Sequence, residues 1–476
     1  MDLVVVESGA KAKTIQKYLG KNILVRASNG HVQDLPNKGK DGSKAVWKHT
    51  ESALPDPPWS WTERAEKNIK KILSDARSKK VKRVLIATDP DREGEFIAWR
   101  LSELFSEFKE IKRITFNEIT KTAIRDALDE AGSVDMNLVD AAKVRRFMDR
   151  LIGYRASRFA RSWSLSSMGR VQTPALAFVV NKEKDIQKFV ATPYWAVQAL
   201  ASGIDFRVRF HDRDDPLVWK DEKGKIDTHR TNSTDSAKKV FDSLNFEKQI
   251  IISKLTLNTY KRRPKAPFTT DTLLQAAGSK YSWRPSNTMR VAQGLYEAGH
   301  ITYMRTDSTR TSASSREKAH EKIISKWGKD LLGKGVGGGK PKSGIQDAHE
   351  AIRPTDPLVE LPGGLDESQV RLYRLIWSRF IASQMIDSQW TSMKLIANLE
   401  TFERPLDGDT KWRVTPGWES AFEAIQKTPS ISPPKPEILE GNAIKLDAGD
   451  ENPRLIEDKT KPPARYTQHG LVALMK

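Results

Sequence analysis

Two short apolar runs, each followed by a helical pattern, organise the first third of the chain. Residues 3–6 (LVVV) and 83–87 (RVLIA) are rich in β-branched side chains, which predicts buried strands of a parallel sheet. Helical spacing follows each run at 12–19 and 95–105, and 62–79 has the spacing of a lysine-rich amphipathic helix. This alternation predicts an open α/β domain that ends near residue 135.

The pattern changes beyond that domain. Segment 137–162 has helical spacing and is rich in arginine, whereas 190–262 and 392–402 alternate apolar and polar side chains. Alternation predicts antiparallel strands, and we expect the two segments to share one sheet. Residues 269–299 have the pattern of a compact helical unit, so Tyr303 falls on a connection just past a helix end. The expected fold class is therefore multidomain, α/β plus α+β.

Charge adds a partner to this picture. The 476 residues include 80 Lys+Arg against 61 Asp+Glu, a net charge of +19. A surplus of this size predicts a polyanion partner, most often nucleic acid, although a merely soluble basic protein is the alternative. The arginines that would form a phosphate-facing helix surface in 137–162 are Arg145, Arg146, Arg150, Arg155, Arg158 and Arg161.

Cysteine is absent, which excludes disulfides, cysteine nucleophiles and thiolate zinc sites. The 8 His residues are scattered and predict no histidine zinc site. No apolar run approaches the roughly 18 residues that a membrane helix needs, and Met1 leads directly into a strand-like run rather than a signal peptide. We therefore expect a cytoplasmic, nucleoid-associated protein with no membrane contact.

The stretch IATDPDREGEF is the strongest candidate site. Asp89, Asp91 and Glu93 alternate in a tight turn at the carboxyl end of a predicted buried strand. Three close carboxylates raise one another's pKa unless a cation shares the site, and oxygen-only ligands suit Mg²⁺. The alternative is the ordinary preference of helix N-termini for acids, which explains Glu93 or Glu95 but not the whole set.

A second strand end supplies partners. In VVVESGAKAKT, Glu7 ends the first strand and Lys11 begins the following helix. If the strands are neighbours, both side chains face the crevice that holds Asp89 and Asp91. Glu7 could then donate a proton or add a metal ligand, although alone it would be interpreted as a capping or solvated residue.

Tyr303 and Arg305 lie together in ITYMRTDS. A phenol is a weak nucleophile, and we expect the cation of Arg305 to favour its phenolate and to bind a phosphate. Metal carboxylates, a lysine and a loop tyrosine on a basic protein together suggest phosphoryl transfer on a nucleic-acid backbone. In DAHEAIRPT, His349 could bond a phosphate oxygen and Arg353 could add charge, although a structural role is the alternative for a lone histidine.

These residues lie in motifs that resemble the type IA DNA topoisomerases, more closely the topoisomerase I branch. The motifs, in family order from residue 6 to residue 467, are VESGAKAKTI, TDPDREGEFIAW, RITFNEITKTAI, RRFMDRLIGY, SMGRVQTPAL, PFTTDTL, ITYMRTDSTR, HEAIRPT and PPARYT. MGRVQTPAL is similar to topoisomerase III and archaeal members. Gly9 stands where the family commonly has proline.

The resemblance implies a four-domain ring that opens to pass a second strand through a break. Its domains would be a Toprim-like metal domain at 1–135, a helical DNA-groove domain at 136–190 plus 441–476, an antiparallel β arch at 191–262 plus 375–440, and a helical domain with the catalytic tyrosine at 263–374. The chain stops at HGLVALMK, inside a helix that family members continue, so we expect a C-terminally truncated protein with an incomplete groove domain.

The resemblance also implies residue roles. Tyr303 would be the nucleophile that keeps a 5′-phosphotyrosyl link, with Glu7 protonating the leaving 3′-hydroxyl, Lys11 and Arg305 stabilising the phosphate and His349 orienting it. Asp89, Asp91 and Glu93, with Glu7 as a further ligand, would hold Mg²⁺. The expected DNA-binding residues are His31, Arg145, Arg146, Asp149, Ser167, Met168, Gly169, Arg170, Val171, Gln172 and Arg353.

The expected activity is Mg²⁺-dependent relaxation of negatively supercoiled DNA by a monomer. The chain carries no nucleotide-binding signature, and energy conserved in a phosphotyrosine bond would make ATP unnecessary. The alternatives are a topoisomerase III-like decatenase, a Toprim-type nuclease or primase that uses the same acids, and an inactive single-stranded-DNA-binding fragment.

Overall fold

A computed structural model describes residues 1–36, 59–337, 350–425, 433, 438–449 and 451–475. The helices in these ranges are α1 (Gly9–Leu19), α2 (Ala65–Ser78), α3 (Arg92–Leu104), α4 (Lys121–Asp129), α5 (Met136–Arg161), α6 (Gln172–Gln187), α7 (Thr234–Glu247), α8 (Thr270–Tyr281), α9 (Pro285–Glu297), α10 (Ala313–Trp327), α11 (Glu367–Ala382) and α12 (Gln468–Leu474). The strands are β1 (Asp2–Val6), β2 (Ile23–Ala27), β3 (Gln33–Asp34), β4 (Ser60–Trp61), β5 (Arg83–Ile86), β6 (Glu110–Arg113), β7 (Pro193–Ala201), β8 (Ile204–Val208), β9 (Gln249–Arg262), β10 (Ser388–Asn398), β11 (Leu406–Thr415), β12 (Ala443–Lys445) and β13 (Arg454–Lys459). Within these ranges, no helix has the length and apolarity to span a bilayer.

The chain divides into two compact units. The first comprises Met1–Phe178, Lys265–Gln384 and Thr467–Lys476, and the second comprises Val179–Pro264 and Met385–Tyr466.

The first unit contains a parallel four-stranded sheet in the order β2-β1-β5-β6. Val4 pairs with Leu85, so the two strands expected from the apolar runs are direct neighbours. Leu3 and Val84 are fully buried in a core that also contains Ile69 from α2. Apolar β-branched runs followed by amphipathic helices bury the sheet in this way, and the predicted α/β fold is confirmed.

The helices after β9 present the connection that carries Tyr303. α9 ends at Glu297, and Gly299 has a φ of +81°, which favours glycine. A Cβ at Gly299 would lie 2.6 Å from the Ile119 carbonyl oxygen. The Thr14 hydroxyl on α1 donates to the Glu297 carbonyl at 2.8 Å, so the end of α9 is fastened to the sheet domain just before Tyr303.

The second unit contains a seven-stranded antiparallel sheet in the order β12-β9-β10-β11-β8-β7-β13. β9 pairs with β10, for example at Thr259 and Thr391, so the two alternating segments share one sheet as the pattern indicated. Val240 and Leu244 of α7 are buried in the same core. β12 and β13 lie in the range 441–476 that was expected to complete a helical domain, but each pairs along an edge of this sheet.

Candidate active site

The turn between β5 and α3 carries the predicted acidic residues. Asp91 is the N-cap of α3, and its Oδ1 accepts a hydrogen bond from the Gly94 amide at 2.8 Å. The Thr88 hydroxyl donates to the Gly94 carbonyl at 2.7 Å. A Cβ on Gly94 would lie 2.1 Å from the Asp89 carbonyl oxygen, so only glycine lets the turn close this tightly. Because Asp91 caps the helix, α3 begins at Arg92, earlier than the pattern at 95–105 predicted.

The end of β1 meets this turn, because β1 and β5 are parallel neighbours. The Glu7 Oε1 accepts a hydrogen bond from the Asp89 amide at 2.9 Å. The Lys11 Nζ lies 2.8 Å from the Asp89 Oδ1, and Lys11 is only 1% exposed. Burial first, and then the charge of Asp89, raises the pKa of Glu7 to about 7. The sheet therefore brings Glu7 and Lys11 to the acidic turn.

Tyr303 reaches the same turn across 212 positions of sequence. Its hydroxyl donates to the Asp91 Oδ2 at 2.5 Å, and its amide donates to the Asn117 carbonyl at 2.7 Å. The Arg305 guanidinium lies 3.7 Å from the same carboxylate. Tyr303 is 3% exposed, so this is a closed arrangement of tyrosine on acid.

The electrostatic environment of Tyr303 differs from the expectation. Arg305 was expected to favour the phenolate, but burial first, and then the charges of Asp91 and Asp89, hold the pKa of Tyr303 well above its usual range. The side chain of Arg305 is 56% exposed, so much of its charge is solvated. In this arrangement Tyr303 keeps its proton.

Glu93 faces a different set of partners. Its Oε2 lies 2.6 Å from the Arg146 guanidinium and 3.4 Å from the His31 Nε2. The hydrogen bond from His31, followed by the charge and hydrogen bond of Arg146, lowers the pKa of Glu93 to about 2. Arg146 also binds Asp34 at 2.7 Å, so this residue of α5 contacts two acids of the sheet domain.

Glu7, Lys11, Asp89, Asp91 and Tyr303 form one cluster, which we call the acid cleft. The described residues include no group of three or more His, Asp or Glu side chains arranged as a ready metal site. The donors nevertheless suit Mg²⁺, which takes one or two carboxylates together with water and phosphate oxygens. Burial and then the charge of Asp89 raise the pKa of Glu7, and a divalent cation beside these carboxylates would favour their ionised forms.

The predicted DNA-binding residues after α5 lie together on a surface connection. Arg170 binds Asp149 at 2.7 Å, and the Gln172 amide donates to the Ser167 hydroxyl at 3.2 Å. The Met168 amide and carbonyl both bond the Ser157 hydroxyl, and the Gly169 amide bonds Thr173. Arg145 and Val171 are exposed.

Arg353, one of the predicted residues, does not join the cleft. Arg353 is 3% exposed, and its guanidinium is held by Glu350 and by Glu118, the latter at 2.9 Å. Arg353 therefore forms buried structural ion pairs here and is not a surface charge. His349 lies outside the described residues.

Arg113 is a supporting residue that the residue patterns did not identify. Its guanidinium donates to the main-chain carbonyls of Thr88 at 3.0 Å and Asp89 at 2.9 Å, and it binds Glu95 at 2.9 Å. Glu95 in turn accepts the Asp135 amide at 2.8 Å, just before α5. The supporting role of Arg113 becomes visible only in the structure, where Arg113 and Glu95 are buried as a pair. The motif RITFNE singled out the segment in the sequence but did not indicate this role.

Comparisons with known proteins agree with this arrangement. Residues 2–119 match the Toprim domain, and residues 133–476 match the model of a DNA topoisomerase family. The chain is 36% identical to DNA topoisomerase 1 of Pseudomonas aeruginosa over 99% of its own length, and it spans 56% of that protein. The structure of full-length topoisomerase I from Thermotoga maritima is similar with a TM-score of 0.79 and 31% identity, covering 99% of this chain and 74% of that one.

Proposed function

The chain belongs to the type IA DNA topoisomerases, and from this premise we propose that it cuts and reseals one strand of DNA through Tyr303 in the acid cleft. The strand would be held by a 5′-phosphotyrosyl bond while another passes, which relaxes negatively supercoiled DNA. The substrate is the single-stranded segment that negative supercoiling exposes. Relaxation is favoured over decatenation and over strand binding alone, since both relatives are named topoisomerase I.

The contact between Tyr303 and Asp91 carries this proposal. The Tyr303 hydroxyl lies 2.5 Å from a carboxylate of the Toprim turn, so the candidate nucleophile meets the acidic residues although 212 positions of sequence separate Tyr303 from Asp91. A nuclease that used the acids alone would have no need of this tyrosine. A protein that only bound DNA would have no need of the buried acids.

Cleavage is a transesterification. The Tyr303 oxygen attacks the phosphorus, the bond from phosphorus to the 3′-oxygen breaks, and the hydroxyl proton passes to Asp91, its hydrogen-bond acceptor. The leaving 3′-oxygen takes a proton from Glu7, whose pKa of about 7 leaves a large fraction protonated near neutral pH. Resealing reverses these steps and needs no ATP, because the phosphotyrosine bond conserves the energy.

Access to Tyr303 requires a movement. Because Tyr303 is 3% exposed, a DNA phosphate reaches it only when the connection around it moves away from the acidic turn. Arg305, whose side chain is 56% exposed, then faces the phosphate, and Lys11 offsets charge from the side of the sheet.

Toprim domains generally bind Mg²⁺, and in this chain Asp89 and Asp91 would hold the ion, with Glu7 as a further ligand only after it has given up its proton. Bound there, it would neutralise phosphate charge and align the broken ends. Glu93 would contribute less as a ligand than the sequence suggested, because Arg146 and His31 already hold its carboxylate. His31 and Arg146 would instead contact the DNA strand together with Arg145 and the 167–172 connection.

The test is adduct formation on labelled single-stranded DNA with Mg²⁺. Tyr303→Phe should abolish the covalent protein–DNA adduct. Tyr281→Phe is the matched control, because it also removes a tyrosine hydroxyl from the first unit. That hydroxyl donates to the Arg371 carbonyl at 3.1 Å, and its removal should leave the adduct intact. An adduct that persists in Tyr303→Phe contradicts the assignment. Cut DNA without attached protein would favour a Toprim-type nuclease.

A further inference from the structure

Tyr296 is a buried tyrosine whose hydroxyl lacks a partner. The residue has 0% exposure, and its hydroxyl makes no hydrogen bond to any residue that the structure describes. Tyr373 in the same unit is 1% exposed, and its hydroxyl donates to the Val359 carbonyl at 2.8 Å. Buried hydroxyls normally find a partner in this way, so Tyr296 is the exception of the pair.

The position of Tyr296 is at the back of the acid cleft. It lies in the last turn of α9, and its ring meets the ring of Tyr303 edge to face at 5.2 Å between centroids. The Lys11 Nζ lies 5.7 Å from the Tyr296 ring centroid while it binds Asp89. The neighbouring residues Gln293 and Glu297 line a cleft of about 340 Å³ together with Glu7, Lys11 and Asp89.

The hydroxyl has no structural role within the described part of the chain. A phenylalanine would supply the same ring contacts to Tyr303 and Lys11, and it would avoid the cost of an unsatisfied buried donor. A donor that the fold leaves unsatisfied beside a cluster of carboxylates is suited to a partner that arrives with the ligand. That partner must be a hydrogen-bond acceptor, and an oxygen atom is the acceptor that both the hydrated cation and the DNA backbone would bring.

We propose that Tyr296 is a positioning residue whose hydroxyl donates a hydrogen bond to an oxygen atom entering the acid cleft, either of a water bound to Mg²⁺ or of a DNA phosphate. This proposal rests on the proposed function, which supplies both ligands. Tyr296 orients the group on which Tyr303 acts without itself reacting.

The experiment compares Tyr296→Phe with Tyr373→Phe by thermal denaturation and by two binding titrations. The first titration follows the rise of Tm with Mg²⁺ in the absence of DNA, and the second follows binding of a labelled single-stranded oligonucleotide in EDTA. Tyr296→Phe should leave the ligand-free Tm unchanged or higher and should weaken one of the two affinities by about three- to tenfold. Tyr373→Phe should lower the ligand-free Tm by roughly 1–3 °C and leave both affinities unchanged.

The two titrations distinguish the source of the oxygen. A loss confined to Mg²⁺ identifies a cation-bound water, and a loss confined to the oligonucleotide identifies a phosphate oxygen. The proposal is overturned if both affinities equal those of the wild type, or if Tyr296→Phe lowers the ligand-free Tm as Tyr373→Phe does. Adduct formation by the wild-type protein is measured in parallel: its absence would refute the proposed function, while the binding titrations would still decide the role of Tyr296.

Discussion

The two units each contain a cluster of acidic and basic side chains, and the clusters are balanced differently. In the acid cleft, the buried ammonium of Lys11 binds Asp89 and its charge acts on Glu7, but the pKa of Glu7 still rises to about 7. In the second unit, His229 lies 2.9 Å from Asp407, which the Arg209 guanidinium also binds. We call Arg209, Asp227, His229 and Asp407 the paired cluster.

The pKa of Glu7 in the acid cleft and the pKa of Asp407 in the paired cluster shift in opposite directions. In the paired cluster, burial works against the ionised form of Asp407, but hydrogen bonds from His229 and Arg209 hold its pKa below the usual range. In the acid cleft, burial and neighbouring acids outweigh the effect of Lys11 on the pKa of Glu7. Charge that is balanced within the fold stabilises it, whereas charge left unbalanced destabilises the fold and is available to a ligand. Replacing an acid by its amide should therefore have opposite effects on stability in the two units.

The largest effect is expected from Lys11→Met. Removing the ammonium that binds buried Asp89 leaves an uncompensated charge, and we expect a loss of about 3–5 kcal/mol in the free energy of unfolding. The adduct on single-stranded DNA should also be lost. Urea denaturation and the adduct assay measure the two effects. Lys13→Met, at an exposed position of the same helix, is the control and should change stability by less than about 0.5 kcal/mol. Equal losses in both variants would show that Lys11 is not the charge partner of the cleft.

Asp407→Asn should break the paired cluster. Arg209 and His229 would lose the charge of their shared acceptor, which costs about 2 kcal/mol for hydrogen bonds to charged groups. Urea denaturation, with amide hydrogen exchange of Ile204–Val208 on the neighbouring strand, measures this loss within the second unit. Adduct formation should not change, and a stability equal to that of the wild type would contradict the pairing.

Glu7→Gln should have the opposite sign. The folded pKa of Glu7, about 7, lies above its ordinary value of 4.5, so the folded state loses stability as pH rises from about 4.5 through 7. The amide removes that loss and retains a carbonyl oxygen for the Asp89 amide. At about pH 8 we expect a gain of roughly 1–2 kcal/mol without Mg²⁺, together with slower release of the 3′-end. A decrease in stability at that pH would show that Lys11 balances the cleft after all.

Local patterns predicted β1, β5 and the helices that follow them because a strand or a helix is determined by neighbouring residues, whereas β2 and β6 were not predicted. The apolar run before Asp89 and the acids after it identify the turn, and the strand ends bring Glu7 to it by the geometry of parallel sheets. Contacts between distant segments were not predictable in the same way. The burial of Tyr303 against Asp91 outweighs the expected effect of Arg305, and Arg353 is buried in ion pairs rather than exposed as a surface charge. No pattern in the sequence signals the paired cluster, whose members lie 178 residues apart at His229 and Asp407.

The smallest expected effect is a pH dependence that distinguishes the units through two histidines. Hydrogen bonds to Asp227 and Asp407 raise the pKa of His229, so its contribution is present below its ordinary pKa of 6.5 and is lost as pH rises through the raised value. Burial lowers the pKa of His300 in the first unit, so its contribution is present at high pH and is lost as pH falls through 6.5. His229→Gln should therefore lower stability more at about pH 5.5 than at about pH 8, by less than about 1 kcal/mol, because the pair is partly solvated. His300→Gln should give the reverse ranking of the two pH values, and urea denaturation of both variants at each pH measures it. If both variants showed the same pH ranking, the contrast between a charge balanced by partners and a charge opposed by burial would not hold for these side chains.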